Sequence, residues 1–183
     1  MVSLIKRLWL SGYRSYELGV FKKDDPKEKI IKKVLRERLI YLIENGTEWI
    51  ISSGNLGVEL WGIEIAEELK SIYPEIKTSL IFPFADFGSQ WNETNQFALT
   101  TAKNKVDFVD SVSHQPYTSP SQLKNHTQFL LTHTDGALLV YDSEFEGKPS
   151  YIYRDIQKKQ EHSSYFLELI SMFDLQDAAE NNI

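Results

Sequence analysis

Short apolar runs recur along the chain at Leu8–Ser11, Trp49–Ser52, Thr78–Phe82, Phe108–Val112, Ala137–Tyr141 and Tyr165–Ile170. Each has the length of a strand, and most lack strict alternation, as expected of strands covered on both faces. The stretches between them are long enough to cross over as helices. In the first, Ile31, Val34, Leu35, Leu39, Leu42 and Ile43 recur at helical spacing while Lys29, Lys32, Lys33 and Arg36 fall largely elsewhere on the wheel, and Asn45-Gly46 supplies a stop. A second helix is predicted from Leu56 to Tyr73, ended by Pro74, and a third from Asn92 to Asn104. A fourth spans Pro120 to His133, with Ser119 as N-cap and proline at the first helical position, and a fifth Ser150 to Glu161. This rhythm predicts an α/β fold, a doubly wound and mainly parallel sheet with helices on both faces. No linker or repeat divides the chain, so residues 1–183 are expected to form a single domain, with the polar, acidic tail Gln176–Ile183 frayed.

In such folds ligands bind beyond the carboxyl ends of the strands, where strand order reverses. The residues following each strand are therefore the candidates. After the first come Gly12, Tyr13 and Arg14: glycine permits a turn, the guanidinium suits phosphate, and Tyr13 with Tyr16 could flank a base or ribose. An equally weighted alternative is a loop whose arginine pairs with Glu17 and whose aromatics pack on the sheet. After the second strand, Ser53-Gly54-Asn55-Leu56-Gly57-Val58-Glu59 reads as a glycine turn opening a helix. Backbone N–H groups at the positive end of a helix dipole can hold an anion there, and Gly54 and Gly57 remove Cβ obstruction. The competing reading is close helix–sheet packing. Glu59 could accept from ribose hydroxyls, act as the acid–base group on a glycosidic bond, or merely complement its own helix dipole.

The loop after the third strand carries Phe84 and Trp91, which could stack on a base or cap the core, and Asn95, which can donate and accept. After the fourth strand, His114 is the histidine nearest a strand end, but nothing in the sequence gives it a partner. His126, His133 and His162 lack metal-ligand spacing, and no metal is expected. Gln122, Asn125 and Gln128 recur at helical spacing and would give a polar face, bordering the cleft or solvated. After the fifth strand, Asp142 offers a ribose or metal contact, and Gly147-Lys148 before the next helix makes a second, weaker anion site.

Composition narrows the class without naming the chemistry. Apolar residues make up 42% and charged residues 25%, ordinary for a globular protein. The absence of cysteine excludes disulfides, thiol catalysis and thiolate metal sites. The net charge of −6 argues against nucleic acid as a partner. No signal-peptide pattern or membrane-length apolar run is present, so a cytoplasmic location is expected, with no membrane partner and no cofactor; a homo-oligomer is allowed.

These segments together resemble a known family. Ser11-Gly12-Tyr13-Arg14 with Glu17-Leu18-Gly19, then Ser53 through Trp61, then Pro83-Phe84 with Trp91 and Asn95, then Asp135-Gly136 through Tyr141-Asp142, are similar to the YpsA-like family of Firmicutes, in the SLOG superfamily of Rossmann-like proteins. The resemblance implies a Rossmann-like fold and a site for a nucleotide- or ADP-ribose-type ligand in a regulatory role, with the Gly54–Gly57 turn matching the superfamily's first phosphate-cradling loop. Superfamily relatives include phosphoribohydrolases, which implies as an alternative an N-glycosidic-bond hydrolase with Glu59 as its candidate catalytic group. They also include a DNA-processing protein, which implies single-stranded DNA binding as a third reading. The hydrolases' second signature, PGGxGTxxE, has no counterpart here; Tyr141-Asp142-Ser143-Glu144 stands in its place.

Overall fold

The computed structural model describes residues 4–181. In chain order it contains β1 (Arg7–Gly12), a short 3-10 helix (Ser15–Leu18), α1 (Pro26–Glu44), β2 (Trp49–Ser52), α2 (Val58–Leu69), β3 (Lys77–Phe82), α3 (Glu93–Lys105), β4 (Phe108–Ser111), α4 (Ser121–His133), β5 (Gly136–Val140), α5 (Pro149–Gln160), β6 (Phe166–Ile170) and α6 (Met172–Glu180). The strands form one six-stranded sheet in the order β4-β3-β2-β1-β5-β6. Every pairing is parallel. The sheet is thus the doubly wound, Rossmann-like arrangement expected from the alternation of apolar runs and helices.

From β1 the chain steps outward through β2 and β3 to β4, then returns across the sheet to place β5 on the other side of β1. Right-handed crossovers put α1, α2 and α3 on one face and α5 on the other. In agreement, α2 packs beside α1 and α3, α6 beside α1, and α4 beside α5. The strand order reverses between β1 and β5, so the crevice for a ligand lies beyond Gly12 and Val140, which are paired in register.

The central strands are buried along nearly their whole length, Leu8, Leu10, Ile50, Leu80, Leu138 and Leu139 completely so. Helix α1 starts where Asp25 accepts a 2.8 Å hydrogen bond from Lys27 N, with Pro26 at its first position, and stops before Gly46 at φ 112°. Helix α2 starts two residues later than the sequence suggests because Gly57, at φ 111° and ψ −136°, cannot belong to a helix. The edge strand β4 is largely exposed, including Phe108 and Val109.

The expectation of a frayed tail is corrected. Residues 176–180 belong to α6; residues 182–183 lie outside the described residues. Ser171 and Asp174 form a reciprocal capping box at its start, and Met172, Leu175 and Ala178 recur on one face against the core. The many polar residues of this segment simply occupy the opposite face.

Candidate functional site

Beyond β1 the chain does not leave the sheet freely; it is stitched to the turn after β2. Ser15 N donates to Leu56 O (3.1 Å) and Val58 N to Tyr13 O (3.2 Å), making an antiparallel bridge between Arg14 and Gly57. The approach is so close that a Cβ on Gly57 would stand 2.5 Å from Ser15 N and 2.7 Å from Tyr13 O. The structure therefore gives Gly57 a packing reason of its own, the close backbone approach that competed with anion binding in the sequence. Gly12 is similarly confined, its Cβ position lying 2.8 Å from Val58 Cγ1 and 2.9 Å from Val140 O. Gly54, at φ 84°, faces the Phe82 ring and Leu99. Among the described residues, the backbone N–H groups of Gly54, Leu56 and Gly57 have no protein acceptor.

Glu59 is the hub of this stitched region. Its carboxylate accepts from Ser11 Oγ (2.7 Å), Asn55 N (2.8 Å) and Asn55 Nδ2 (2.9 Å), and lies 3.7 Å from Arg14 Nη1. Its side chain is only 2% exposed. The acceptor positions that a ribose would need are thus taken by protein donors. Arg14 is held from the other side, Nη1 donating to Gly12 O (3.2 Å), while its side chain remains 20% exposed. The rest of its fork has no protein acceptor among the described residues.

A histidine completes the inner wall. His126 on α4 is buried, with Nε2 2.8 Å from Ile81 O and 3.1 Å from Ser53 Oγ. A carbonyl only accepts, so Nε2 carries the hydrogen and Nδ1 is left as an acceptor in the neutral ring. Burial holds its pKa below the usual value; the nearby Glu59 charge favours the protonated ring and Arg14 opposes it. His126 was passed over in the sequence because it shows no ligand spacing. The available signal was the spacing of Gln122, His126 and Leu130, which puts all three on the buried face of α4. Asn125 and Gln128, by contrast, are exposed. His114 is exposed and lies 3.6 Å from Asp110.

On the β5 side, Tyr13 is buried and its hydroxyl donates to Phe145 O (2.6 Å) and accepts from Asp142 N (2.9 Å). Burial pushes its pKa up to about 12. The Asp142 carboxylate accepts from Glu144 N (2.9 Å) and from Met172 N (3.1 Å), shaping its own turn and the start of α6. Gly147 is where Glu17 enters. The Glu17 carboxylate accepts from Lys148 N (2.7 Å) and from Arg14 N (2.7 Å), and a Cβ on Gly147 would collide with it. The anion expected at the start of α5 is therefore a side chain of the protein itself. Beside it opens a depression of about 400 Å³.

On the β3 side the aromatics hold one another. Phe87 stacks on Phe82 at 5.1 Å and meets Phe84 at 5.8 Å and Trp91 at 5.3 Å, and Phe84 meets Tyr117 at 5.1 Å. Phe84 and Trp91 are both half-buried, so each keeps part of its surface open. Asn95 lies in the first turn of α3, its N–H capped by Asn92 Oδ1 at 2.9 Å. The structure thus brings Gly12, Arg14, Ser53, Gly54, Gly57 and Glu59 together at the ends of β1 and β2. Phe84, Trp91 and Asn95 flank them after β3, and Asp142 and Gly147 after β5. Among the described residues there is no group of three or more His, Asp or Glu able to hold a metal, and no helix is long and apolar enough to cross a membrane.

Comparison with known proteins places this arrangement. The family model YpsA, described as the YspA SLOG family, matches residues 8–175. A UPF0398 protein of Enterococcus faecalis is 52% identical over 177 residues, covering 97% of this chain and 98% of that one. A UPF0398 protein of Latilactobacillus sakei is 51% identical over 175 residues, covering 96% and 94%. Among solved structures, DNA processing protein A from Helicobacter pylori, described for its single-stranded DNA binding mode, matches with a TM-score of 0.52 at 16% identity, over 96% of this chain and 80% of that chain. That likeness is one of fold. It nevertheless corrects the exclusion of nucleic acid drawn from the net charge: a protein of this fold binds single-stranded DNA, and an overall charge says little about the sign of one rim.

Proposed function

The chain belongs to the YpsA family of SLOG proteins, and from that premise we propose that it binds a nucleotide- or ADP-ribose-type ligand across the strand-order reversal, in a regulatory role. One observation carries this reading: Arg14 is pinned by Gly12 O and Glu59 at the reversal point, with the remainder of its fork directed to no protein acceptor among the described residues. A guanidinium so held is preorganised for a phosphate. In this reading Arg14 and the turn from Ser53 to Gly57 meet the phosphates, and the half-open rings of Phe84 and Trp91, with Asn95, receive the base. Gly12, Tyr13 and Asp142 shape the floor, and Glu59 acts through Arg14 instead of touching ribose. The buried, fully engaged Glu59 carboxylate favours binding over glycosidic hydrolysis. Calorimetric titration with AMP, ADP and ADP-ribose tests it. Arg14→Gln should weaken binding at least about tenfold, the scale of one charged hydrogen bond; parent and variant binding none of these, or binding them equally, would overturn it.

A second reading, single-stranded nucleic acid, is favoured by the rim beside Arg14. Phe21 is 81% exposed and is followed by exposed Lys22, Lys23 and Asp24, with exposed Tyr16 and Lys27 close in sequence and Lys27 Nζ held by Leu18 O. Exposed aromatics interleaved with lysines suit stacked bases and their phosphates. Fluorescence polarisation with a labelled oligonucleotide should then show affinity falling steeply with salt and weakened by Phe21→Ala. Binding that ignores salt, or the variant, would remove this reading.

A further inference from the structure

The depression beside α5 is built differently from the phosphate-facing part of the mouth. Helix α5 begins Pro149-Ser150 with no side-chain N-cap on its preceding residue. Pro149 has no N–H, and Ser150 N and Tyr151 N donate to Gly147 O and Lys148 O, so Lys148 N is the donor left to meet an anion. That place is filled from within: Glu17 accepts from Lys148 N, and Gly147 is bare to admit it. A second, independent feature lies next to it. Ser150 is 6% exposed and lines the depression, yet its hydroxyl has no protein partner among the described residues. Nor is that hydroxyl sealed away, since the only sealed and unbonded side-chain polar atom among the described residues is Trp9 Nε1. The outer wall is Tyr151, 67% exposed, with the Arg154 guanidinium over its ring at 6.0 Å and paired with Glu146 at 3.6 Å.

Resting on the nucleotide reading above, we infer that this depression takes a neutral, hydroxyl-bearing sugar group at the far end of the ligand's phosphates, not a further phosphate. A carboxylate with lone pairs to spare, a free serine hydroxyl and an exposed tyrosine ring match a vicinal diol and the apolar side of a sugar ring. The charges lining the depression balance, Glu17 and Glu146 against Lys148 and Arg154. Arg154 is already paired to Glu146 and the Lys148 N–H already used by Glu17, so a further phosphate would find no net positive charge there. The sheet then orders the ligand: base beyond β3, phosphates beyond β1 and β2, terminal sugar beyond β5. Glu17 is the discriminating residue, because it both fills the anion place and ties Arg14 N to α5.

Titration calorimetry with ADP, ATP and ADP-ribose, on the parent and on Ser150→Ala and Glu17→Gln, tests this. ADP-ribose should bind the parent at least about tenfold tighter than ADP, and ATP no tighter than ADP. Ser150→Ala removes no protein hydrogen bond, so its thermal unfolding should match the parent while ADP-ribose affinity falls roughly three- to tenfold and ADP affinity holds. Glu17→Gln should narrow the preference by admitting ATP. The sugar inference is overturned if ADP and ADP-ribose bind equally, if ATP binds tightest, or if Ser150→Ala weakens both diphosphates alike; the nucleotide reading survives each of those results. If none of the three binds the parent, both fall together.

Discussion

Ser11 Oγ donates a 2.7 Å hydrogen bond to Glu59 Oε2, joining the carboxyl end of β1 to the first turn of α2 across 48 residues of sequence. Both residues are buried, and Glu59 also receives both donors of Asn55. Removing the carboxylate therefore strands several donors at once and leaves Arg14 without its counter-charge. Glu59→Ala should cost about 3–5 kcal/mol of stability, the scale for breaking a buried, hydrogen-bonded charge. Glu59→Gln, which can still accept from Asn55 and donate to Ser11 Oγ, should cost less, about 1–3 kcal/mol. Urea denaturation of the two variants checks the ranking; equal and negligible losses would mean that Glu59 does not brace the turn.

Gly57→Ala tests whether the turn is held by backbone approach. The new methyl would meet Ser15 N and Tyr13 O at φ 111°, a conformation costly for any L side chain. Stability should fall by at least about 1–3 kcal/mol, and ligand binding should fall with it because the strand of residues 13–15 is displaced. A variant that keeps the parent's unfolding midpoint but loses binding would favour direct contact between Gly57 and a ligand.

The sheet was legible because each apolar run had no competing explanation: Ala137–Tyr141 cannot be amphipathic, and the glycines and asparagines between runs mark where helices end. The mainly parallel pairing followed from helix-length spacers, which parallel crossovers need; the strand order came only with the structure. The site was legible in position but less so in role. Residues just beyond strands are recognisable from sequence, so Arg14, Gly54 and Glu59 could be singled out. What fills a hydrogen bond could not be. Besides the local donors Asn55 and Arg14 N, Glu59 is engaged by Ser11, 48 residues away, and Glu17 by Lys148 N, 131 residues away, and no local pattern distinguishes a carboxylate facing a ligand from one facing Ser11 or Lys148 N. Ser150 was hidden for the same reason, since an unpartnered hydroxyl is defined only by what surrounds it. The α6 tail was misjudged from its composition, although Met172, Leu175 and Ala178 already carried the helical spacing.

Glu17 and Gly147 should behave as one unit. A Cβ at residue 147 collides with the carboxylate, so Gly147→Ala and Glu17→Ala both empty the start of α5. Gly147→Ala should cost about 1–3 kcal/mol, the scale of one donor left without its carboxylate, and Glu17→Ala more, because it also strands Arg14 N. The double variant should cost little more than Glu17→Ala alone, a coupling outside the additivity expected of independent sites. Thermal unfolding of the cycle decides it, and strict additivity would separate the two residues.

His126 should make stability depend on pH in a recognisable way. Burial depresses its pKa in the folded protein relative to the usual 6.5. Above about pH 6.5 the ring is neutral in both folded and unfolded chains and contributes no slope. As pH falls below that value, the unfolded chain takes up a proton that the folded protein resists, so stability declines, by at most ~1.4 kcal/mol per pH unit from this one group. The charges acting on the ring are Glu59, which favours protonation, and Arg14, which opposes it. Asp107 and Asp135, whose pKa values are lowered by Lys70 and Arg7 despite partial desolvation, titrate in a more acidic range and are common to any variant of residue 126. His126→Gln keeps an N–H for Ile81 O but cannot titrate. It should destabilise the protein at pH 8, where the native ring fits best, and its deficit relative to the parent should shrink as the pH is lowered toward 5. Urea denaturation of both proteins at matched pH measures that difference directly. A deficit independent of pH would mean that the folded protein accommodates the imidazolium, and that the wall behind Arg14 and Glu59 is wetter than its burial implies.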